Sequence, residues 1–415
     1  MTMAPEEHQA DVRMRGFARR ATVAAAIEWL DAQVRPLPSE PVALSAAAGR
    51  VLAASVASAV DVPGFDRAMM DGFAVRAASV AGASVYNPIE LPVVGEAFPG
   101  RPFSGHVERG QAVKIMTGAP LPSGADAVLP AELAEFSATM LKAHGEVSPR
   151  KHVGPTGEDV AAGTVVLPAG RRLRPQDLGL LSSIGVAAVS CVRRPRVSVV
   201  VTGSELLAEG SRPHGNQITD ANGPMLAALV ERDGGQIAGR AIVDDNRDAI
   251  RAALLAEADV VLVSGGSSVG QEDHVPTLLA EAGGQLAIHG VAMRPSSPAG
   301  MGRLGNRLVF LLPGNPVSCL CAYDFFAGRA IRGLGGQKLA WPYRQQSAKL
   351  VRKISSEIGR VDYARVTVAD GLATPLAIGG ASILSSTTRA DGFVIIPADL
   401  EGYAAGHDVD VFLYD

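Results

Sequence analysis

From about residue 195 to residue 337 the chain alternates between short apolar runs and amphipathic stretches of helical length. RVSVVVTG is a run of β-branched residues that stops at glycine. NGPMLAALVERDGG then carries apolar residues at helical spacing between an Asn and a pair of glycines. QIAGRAIVDD, DNRDAIRAALLAEA, DVVLVSGG, DHVPTLLAEAGG, QLAIHGVAM, RLVFLLPG and NPVSCLCAYDFFAGRAI continue the pattern. A strand made only of apolar residues must be buried on both faces, and a helix between two such strands carries the chain back to the start of the next. The pattern therefore predicts βαβ units and a three-layer α/β domain, with a mostly parallel sheet covered on both sides.

The rest of the chain has other periods. TVAAAIEWLDAQV (residues 22–34) predicts a helix ended by Pro36 and Pro38, and LSAAAGRVLAASV (44–56) predicts a second, Ala-rich helix. Residues 61–146 are rich in Gly and Pro with short apolar runs such as AVKIM and DAVLP, which predicts a small β-rich domain. RPQDLGLLSSIGV reads as a short helix ending at glycine. The runs YARVTVA, GFVIIPA and DVDVFLY after residue 338 predict a β-barrel or sandwich.

At 415 residues the chain is too long for one core. A net charge of -4 and 5% aromatic residues give no basic surface or stacking platform for nucleic acid. No apolar run approaches the roughly 20 residues that span a bilayer. The segment MTMAPEEHQADVRMRGFARR has no apolar signal core, so a cytoplasmic protein with a solvated tail over residues 1–19 is expected. Cys191, Cys319 and Cys321 are too few and too oddly spaced for a disulfide framework and read as buried thiols. The histidines show no metal-ligand spacing. Met69, Met70, Met116, Trp29 and Trp341 read as packing residues.

Ligands of open α/β sheets bind outside the carboxyl ends of the strands. Five strand ends carry polar or glycine-rich loops: Thr202-Gly203-Ser204-Glu205, Asp244-Asp245, the SGGSSVGQED loop, Arg294-Pro295-Ser296-Ser297-Pro298, and Pro313 to Ser318. Gly265, Gly266 and Gly270 let the backbone approach a ligand, Ser267 and Ser268 add donors, and a helix starting near Asp273 points its positive end at the same space. These features suit an anion. The loop lacks the Gly-Lys-Ser/Thr ending of a P-loop and the G-x-G-x-x-G spacing of a dinucleotide fold. Acids beside a phosphate site suggest a bridging hard cation such as Mg²⁺, with Glu205, Asp244 and Asp273 as candidates. Either aspartate could equally cap the helix that follows it, whereas Glu205 has no such role.

A series of ordered motifs runs along nearly the whole chain: DVPGFDRAMMDGFAVRA, VKIMTGAPLPSGADAVLPAE, GEDVAAGTVV, VVTGSELL, GNQITDAN, VSGGSSVGQED, VAMRPSSP and LLPGNPVS. With these motifs the chain resembles the molybdopterin molybdenumtransferase family, the MoeA-like enzymes related to the E domain of gephyrin. The resemblance implies an elongated homodimer whose active site is shared between chains. The domains would be a linker domain (20–60 and 147–190), an inserted β-rich domain (61–146), an α/β molybdopterin-binding domain (191–337) and a C-terminal β-barrel (338–415). It implies insertion of molybdate into adenylylated molybdopterin with Mg²⁺-dependent release of AMP, and a molybdopterin adenylyltransferase as a possible partner. Carried over by position, Asp71, Thr117, Asp159, Glu205, Asp244 and Asp273 fall on family motifs. So do Arg294, Asp220 and Asn222 of GNQITDAN, Ser264 of the phosphate loop, and Pro313, Gly314, Asn315, Pro316 and Ser318. Asp71 and Thr117 would reach in from the partner chain.

Four positions depart from the family pattern. Ser297 stands where a lysine is usual, and Gly154, Pro155 and Thr156 stand where basic residues are usual. Ser204 replaces an aspartate. Ala68 replaces a serine, with Arg67 beside it. Lost cations weaken a site for anions, by roughly 1.5–3 kcal/mol for each charge-assisted hydrogen bond. These departures leave open a non-catalytic molybdopterin-binding or scaffold paralogue, and a variant that handles another oxyanion such as tungstate. A pterin adenylyltransferase is opposed by the extra domains.

Overall fold

The computed structural model describes residues 20–266 and 274–414. The chain divides into two compact units, Pro41–Cys191 and the remainder, Met1–Glu40 with Val192–Asp415.

In the larger unit the alternating segment forms a six-stranded sheet. Its order is Gln236–Val243, Arg196–Thr202, Val260–Ser264, Arg307–Leu312, Gly300–Leu304, Gln285–His289. The first four strands are parallel, and Gly300–Leu304 runs against both of its neighbours. Side-chain alternation along each strand serves two cores. Val199, Val201, Val260 and Leu262 pack on one side with Leu226 and Val230 of the helix Asn222–Arg232, and with Val23, Ala26 and Leu30 of the helix Val23–Gln33. Val261 and Val263 pack on the other side with Ile250 and Leu254 of Arg247–Leu254 and with Leu278 and Leu279 of Val275–Glu281. This is the three-layer arrangement that the continuous apolar runs required. Thr22 caps the first of these helices, its Oγ1 accepting from Ala25 N at 3.1 Å. Asn246, not either preceding aspartate, caps Arg247–Leu254.

The strands Arg344–Leu350, Val361–Ala369, Leu372–Ala377, Gly392–Ile396 and Asp408–Leu413 form a barrel closed by pairing between Val361–Ala369 and Gly392–Ile396. Ala364, Val366, Val394 and Val411 fill it. Trp341 stacks edge-on against Phe325, Phe393 and Phe412 beside it.

The smaller unit is built on a second six-stranded sheet, ordered Ala127–Pro130, Gly72–Val75, Ala112–Ile115, Ile89–Ala97, Met140–Ala143, Ala134–Ser137. Phe73, Val75 and Leu129 face one core; Ala74, Val113 and Val128 face another. A third cluster joins Leu52, Leu167 and Leu173 to Leu181 of the helix Pro175–Ser183.

The expected helix over 44–56 is absent. Only Leu44–Ala46 turns, as a single 3-10 turn, and Gly49 adopts a φ of 73°. The backbone donors that a helix would use internally go outward instead: Gly49 N to Leu173 O, Leu52 N to Arg171 O and Ala53 N to Ser190 O. Burial of Ala47, Val51 and Leu52 against those segments outweighs alanine's helical preference. Met69 also departs from its expected packing role, being half exposed. All three cysteines are free and buried, as expected. Among the described residues no helix is long and apolar enough to cross a membrane.

Candidate active site

Four of the five strand-end loops gather at the carboxyl edge of the α/β sheet. They border a cleft of about 790 Å³ lined by Thr202, Gly203, Glu205, Asp220, Asn222, Asp245, Ser264, Gly265, Gly266 and residues 313–316. The chain passes from Arg196–Thr202 to Gln236–Val243 on one side of it and then to Val260–Ser264 on the other, so the strand order reverses here. The loops splay apart at such a point and leave room for a ligand.

One side chain ties these loops together. Asn222 is 5% exposed, and its Nδ2 donates to Ser264 Oγ at 2.9 Å and to Gly314 O at 2.7 Å. Asp220 Oδ1 accepts from Gly223 N at 2.9 Å, which fixes the start of the helix Asn222–Arg232. The other oxygens of this group are uncommitted. Thr202 Oγ1, Asp220 Oδ2 and Asn222 Oδ1 are buried without a hydrogen-bond partner among the described residues. A buried polar atom left unpaired costs about 1–3 kcal/mol, and a group of them on one cleft wall marks a binding surface.

The glycines are required by the backbone. Gly265 has a φ of 95°, and a Cβ there would lie 2.6 Å from Thr202 O. A Cβ at Gly203 would lie 2.7 Å from Oε2 of Glu205, whose carboxylate folds back over it. Three carboxylates line the cleft, those of Glu205, Asp220 and Asp245, and no Lys or Arg does so among the described residues. Asp245 Oδ2 accepts from Ser204 N at 3.3 Å.

Several expected residues lie elsewhere. Asp244 is exposed and outside the cleft lining, which receives its neighbour Asp245. Arg294 does not end a strand of the α/β sheet. Gln285–His289 stops at His289, and the two-residue strand Met293–Arg294 pairs with Val361–Ala369 of the barrel. Arg294 there forms a tight ion pair with the fully buried Asp362. The following loop packs on the helix Pro316–Ala322 through Ser296 Oγ, which donates to Ser318 O at 2.5 Å; neither Arg294 nor Ser318 lines the cleft. Ser267, Ser268, Gly270 and Asp273 lie outside the described residues.

Two groups were not picked out from sequence. Ser382 and Leu384 line the cleft from a loop beyond the barrel strand Leu372–Ala377, seated by Val317 N donating to Ala381 O at 2.9 Å. Arg365 is wholly buried on the face of the barrel strand Val361–Ala369 opposite to Ala364 and Val366, where Nη2 donates to Gly379 O while Nε and Nη1 have no partner among the described residues. It lies near Cys321, whose thiol burial pushes far above its ordinary range and which Ser296 contacts. The Cys319 thiol, beside Ser264 Oγ at 3.6 Å, is pushed up to about 12 by burial. In sequence Arg365 is a single charge within the alternating run YARVTVA.

In the β-rich unit Thr117 N and Oγ1 both donate to Asp71 Oδ1, at 2.8 and 2.7 Å, and these bonds lower the carboxyl's pKa. Asp66 pairs with Arg150 and accepts from Thr156 N at 2.9 Å; Arg150 and Thr156 together hold its carboxyl down to about 2. Asp159 is exposed on the same motif loop.

With this geometry in hand, similarity to known proteins is decisive. Residues 21–185 match the MoeA N-terminal region (domain I and II), 198–333 a probable molybdopterin binding domain, and 347–414 the MoeA C-terminal region (domain IV). The chain is 35% identical to molybdopterin molybdenumtransferase 2 of Mycobacterium tuberculosis over 382 residues, 89% of this chain and 94% of the relative. It belongs to the molybdopterin molybdenumtransferase family. The Haemophilus influenzae molybdopterin molybdenumtransferase is 32% identical, covering 91% of this chain and 94% of its own. The crystal structure of a molybdopterin biosynthesis MoeA protein from Pyrococcus horikoshii OT3 superposes with a TM-score of 0.80 at 32% identity, covering 95% of this chain and all of that one. This family member is thus a transferase of molybdenum cofactor biosynthesis, and its cleft lies in the part that matches the molybdopterin binding domain.

Proposed function

We propose that this chain inserts molybdate into the dithiolene of adenylylated molybdopterin, releases AMP in a Mg²⁺-dependent step, and works as a homodimer. The observation that carries the reading is the cleft wall of Thr202, Asp220 and Asn222. It offers buried, unpaired oxygens beside glycines that admit a ligand's backbone-close approach.

The donor set fits Mg²⁺. A phosphorylated ligand in a cleft lined by Glu205, Asp220 and Asp245, with no cationic lining residue among those described, needs a cation to offset the repulsion. Among the described residues no three of His, Cys, Asp or Glu come together as a metal cage. Mg²⁺ typically takes only one or two carboxylates and completes its shell with phosphate oxygens and water. Glu205 and Asp245 are the chain's candidates for that role, with Asp220 Oδ2 beside them. When bound, the ion would neutralise charge on the pyrophosphate as its bond to AMP breaks. Asn222 holds the strand-end loops in register around the ligand, and the Thr202 hydroxyl and the Gly265 and Gly266 backbone contact its polar groups. Arg365 is the candidate for the oxyanion: a buried guanidinium with two unpaired N–H groups is a preformed anion site. Its charge offsets the lysine that Ser297 lacks. Asp71, which Thr117 orients, is a further candidate for substrate handling.

The test is purified protein incubated with adenylylated molybdopterin, molybdate and Mg²⁺, with AMP followed by chromatography. The expected result is AMP release that Glu205→Ala abolishes. Release at the level of that variant, with pterin still bound, would instead identify a scaffold protein.

A further inference from the structure

Two of the unpaired atoms on the cleft wall are oxygens that accept hydrogen bonds and cannot donate them. Asp220 is 5% exposed; its Oδ1 is spent on Gly223 N at 2.9 Å, and its Oδ2 is buried without a partner among the described residues. Asn222 donates through Nδ2 to Gly314 O, a group that only accepts, so the amide nitrogen is fixed on that side and Oδ1 is the unpaired end. Both residues line the cleft. The oxygens of a phosphate or an oxyanion are themselves acceptors and leave both atoms unsatisfied. A carboxylate oxygen beside a carbonyl oxygen asks for donors on the ligand. Gly223 keeps room for this carboxylate. A Cβ there would lie 2.3 Å from Asp220 Oδ2, and its φ is not left-handed, so a side chain would disturb the carboxylate and not the backbone.

An apolar shelf adjoins these acceptors. The short strands Leu206–Leu207 and Ile218–Thr219 pair in parallel, with Leu206 opposite Ile218. The second strand runs straight into Asp220, whose N–H donates to Leu207 O at 2.8 Å. Leu206 and Ile218 both line the cleft, and Ile218 is 53% exposed. An uncovered aliphatic surface next to fixed acceptors suits the two ends of a nucleoside, a flat base and a sugar bearing hydroxyl donors.

A ribose carries a vicinal diol, two O–H donors on adjacent carbons, and an acid takes such a hydroxyl in dinucleotide-binding folds. We infer that Asp220 and Asn222 recognise the ribose hydroxyls of the substrate's nucleotide half, with the base against Leu206 and Ile218, and that the cleft therefore selects ribonucleotides over deoxyribonucleotides. The inference rests on the proposed function, in which a nucleotide-bearing substrate occupies this cleft.

The experiment is isothermal titration of the full-length protein with AMP and with its 2′-deoxy and 3′-deoxy analogues in the presence of Mg²⁺, beside the AMP-release assay. The parent should bind AMP about 10- to 100-fold more tightly than the weaker analogue, the loss of one hydrogen bond to a buried acceptor. Asp220→Asn keeps an oxygen for Gly223 N but offers the diol a donor, so the preference should fall to about twofold or less with the thermal transition close to the parent's. Gly223→Ala displaces the carboxylate without removing it and should lower the preference too. Ile218→Ser should weaken all three nucleotides about 5-fold and leave their ratio intact. A parent that binds AMP and both analogues equally, or an Asp220→Asn variant that keeps the parent's ratio, overturns the inference and leaves the proposed function standing. Competition between AMP and free pterin that Asp220→Asn abolishes, without a ribose preference, would put the pterin's amino edge on these oxygens and also overturn it. A ribose preference in a parent that releases no AMP from the adenylylated substrate would refute the proposed turnover and leave the inference standing. No binding of AMP at millimolar concentration overturns the inference, and the release assay then judges the proposed function separately.

Discussion

Replacing Asn222 with alanine removes a side chain that ties the start of its helix to two strand-end loops. Two hydrogen bonds are lost, to Ser264 Oγ and to Gly314 O. At about 1 kcal/mol each, with about 1 kcal/mol more for a carbonyl left unpaired, the cost is roughly 2–3 kcal/mol. In a unit of this size that lowers the thermal transition by about 5–10 °C, measured by differential scanning calorimetry. The loops should also lose their register, so KM for the pterin substrate should rise more than the transition falls in proportion. A cycle with Ser264→Ala isolates the Asn222–Ser264 contact, and a coupling of about 1 kcal/mol is expected for residues in direct contact. Unchanged melting and unchanged KM in Asn222→Ala would show that this side chain does not organise the cleft.

Gly265→Ala places a Cβ against Thr202 O in a left-handed conformation and should cost at least about 2 kcal/mol together with activity. Gly314→Ala meets only an ordinary 3.6 Å contact and should remain near the parent in a chemical-denaturation series. Arg365→Met should raise the molybdate concentration for half-maximal turnover while leaving the melting temperature equal or higher, since it removes a buried charge with two unpaired donors. A parallel loss of stability would make Arg365 a structural residue. The carboxyl of Asp66 is held at about 2, below its unfolded value, so its contribution is full above pH ~4 and is lost as pH falls towards ~2. The urea midpoint of Asp66→Asn should therefore differ from the parent near neutrality, and the gap should shrink as pH falls from ~4 to ~2. The three cysteines should resist iodoacetamide at pH ~8 in the native protein and react in denaturant, burial having pushed the Cys319 thiol to about 12.

What the sequence made legible was what local periodicity encodes. Continuous apolar runs ending at glycine gave the buried parallel strands, and the residues just after Thr202, Ser264 and Leu312 gave most of the cleft. Where tertiary pairing decides, sequence reading went astray. The Ala-rich 44–56 stretch gives its donors to Arg171, Leu173 and Ser190, distant in sequence, and Met293–Arg294 pairs with the barrel rather than the α/β sheet. Asp244 and Asp245 are adjacent, and composition cannot say which one a strand end turns towards the cleft. Arg365 carries no local signal, because its burial and unpaired donors arise where its barrel strand packs beside Cys321, a residue distant in sequence.

On the proposed function, the cleft at the carboxyl edge of the α/β sheet holds the nucleotide-bearing substrate. A crystal structure of the protein soaked with AMP, molybdate and Mg²⁺ decides whether it does. The nucleotide phosphate is expected beside Gly265, Thr202 and Asn222, with a cation against Glu205 or Asp245. Both anions bound away from that cleft would show that the substrate sits elsewhere.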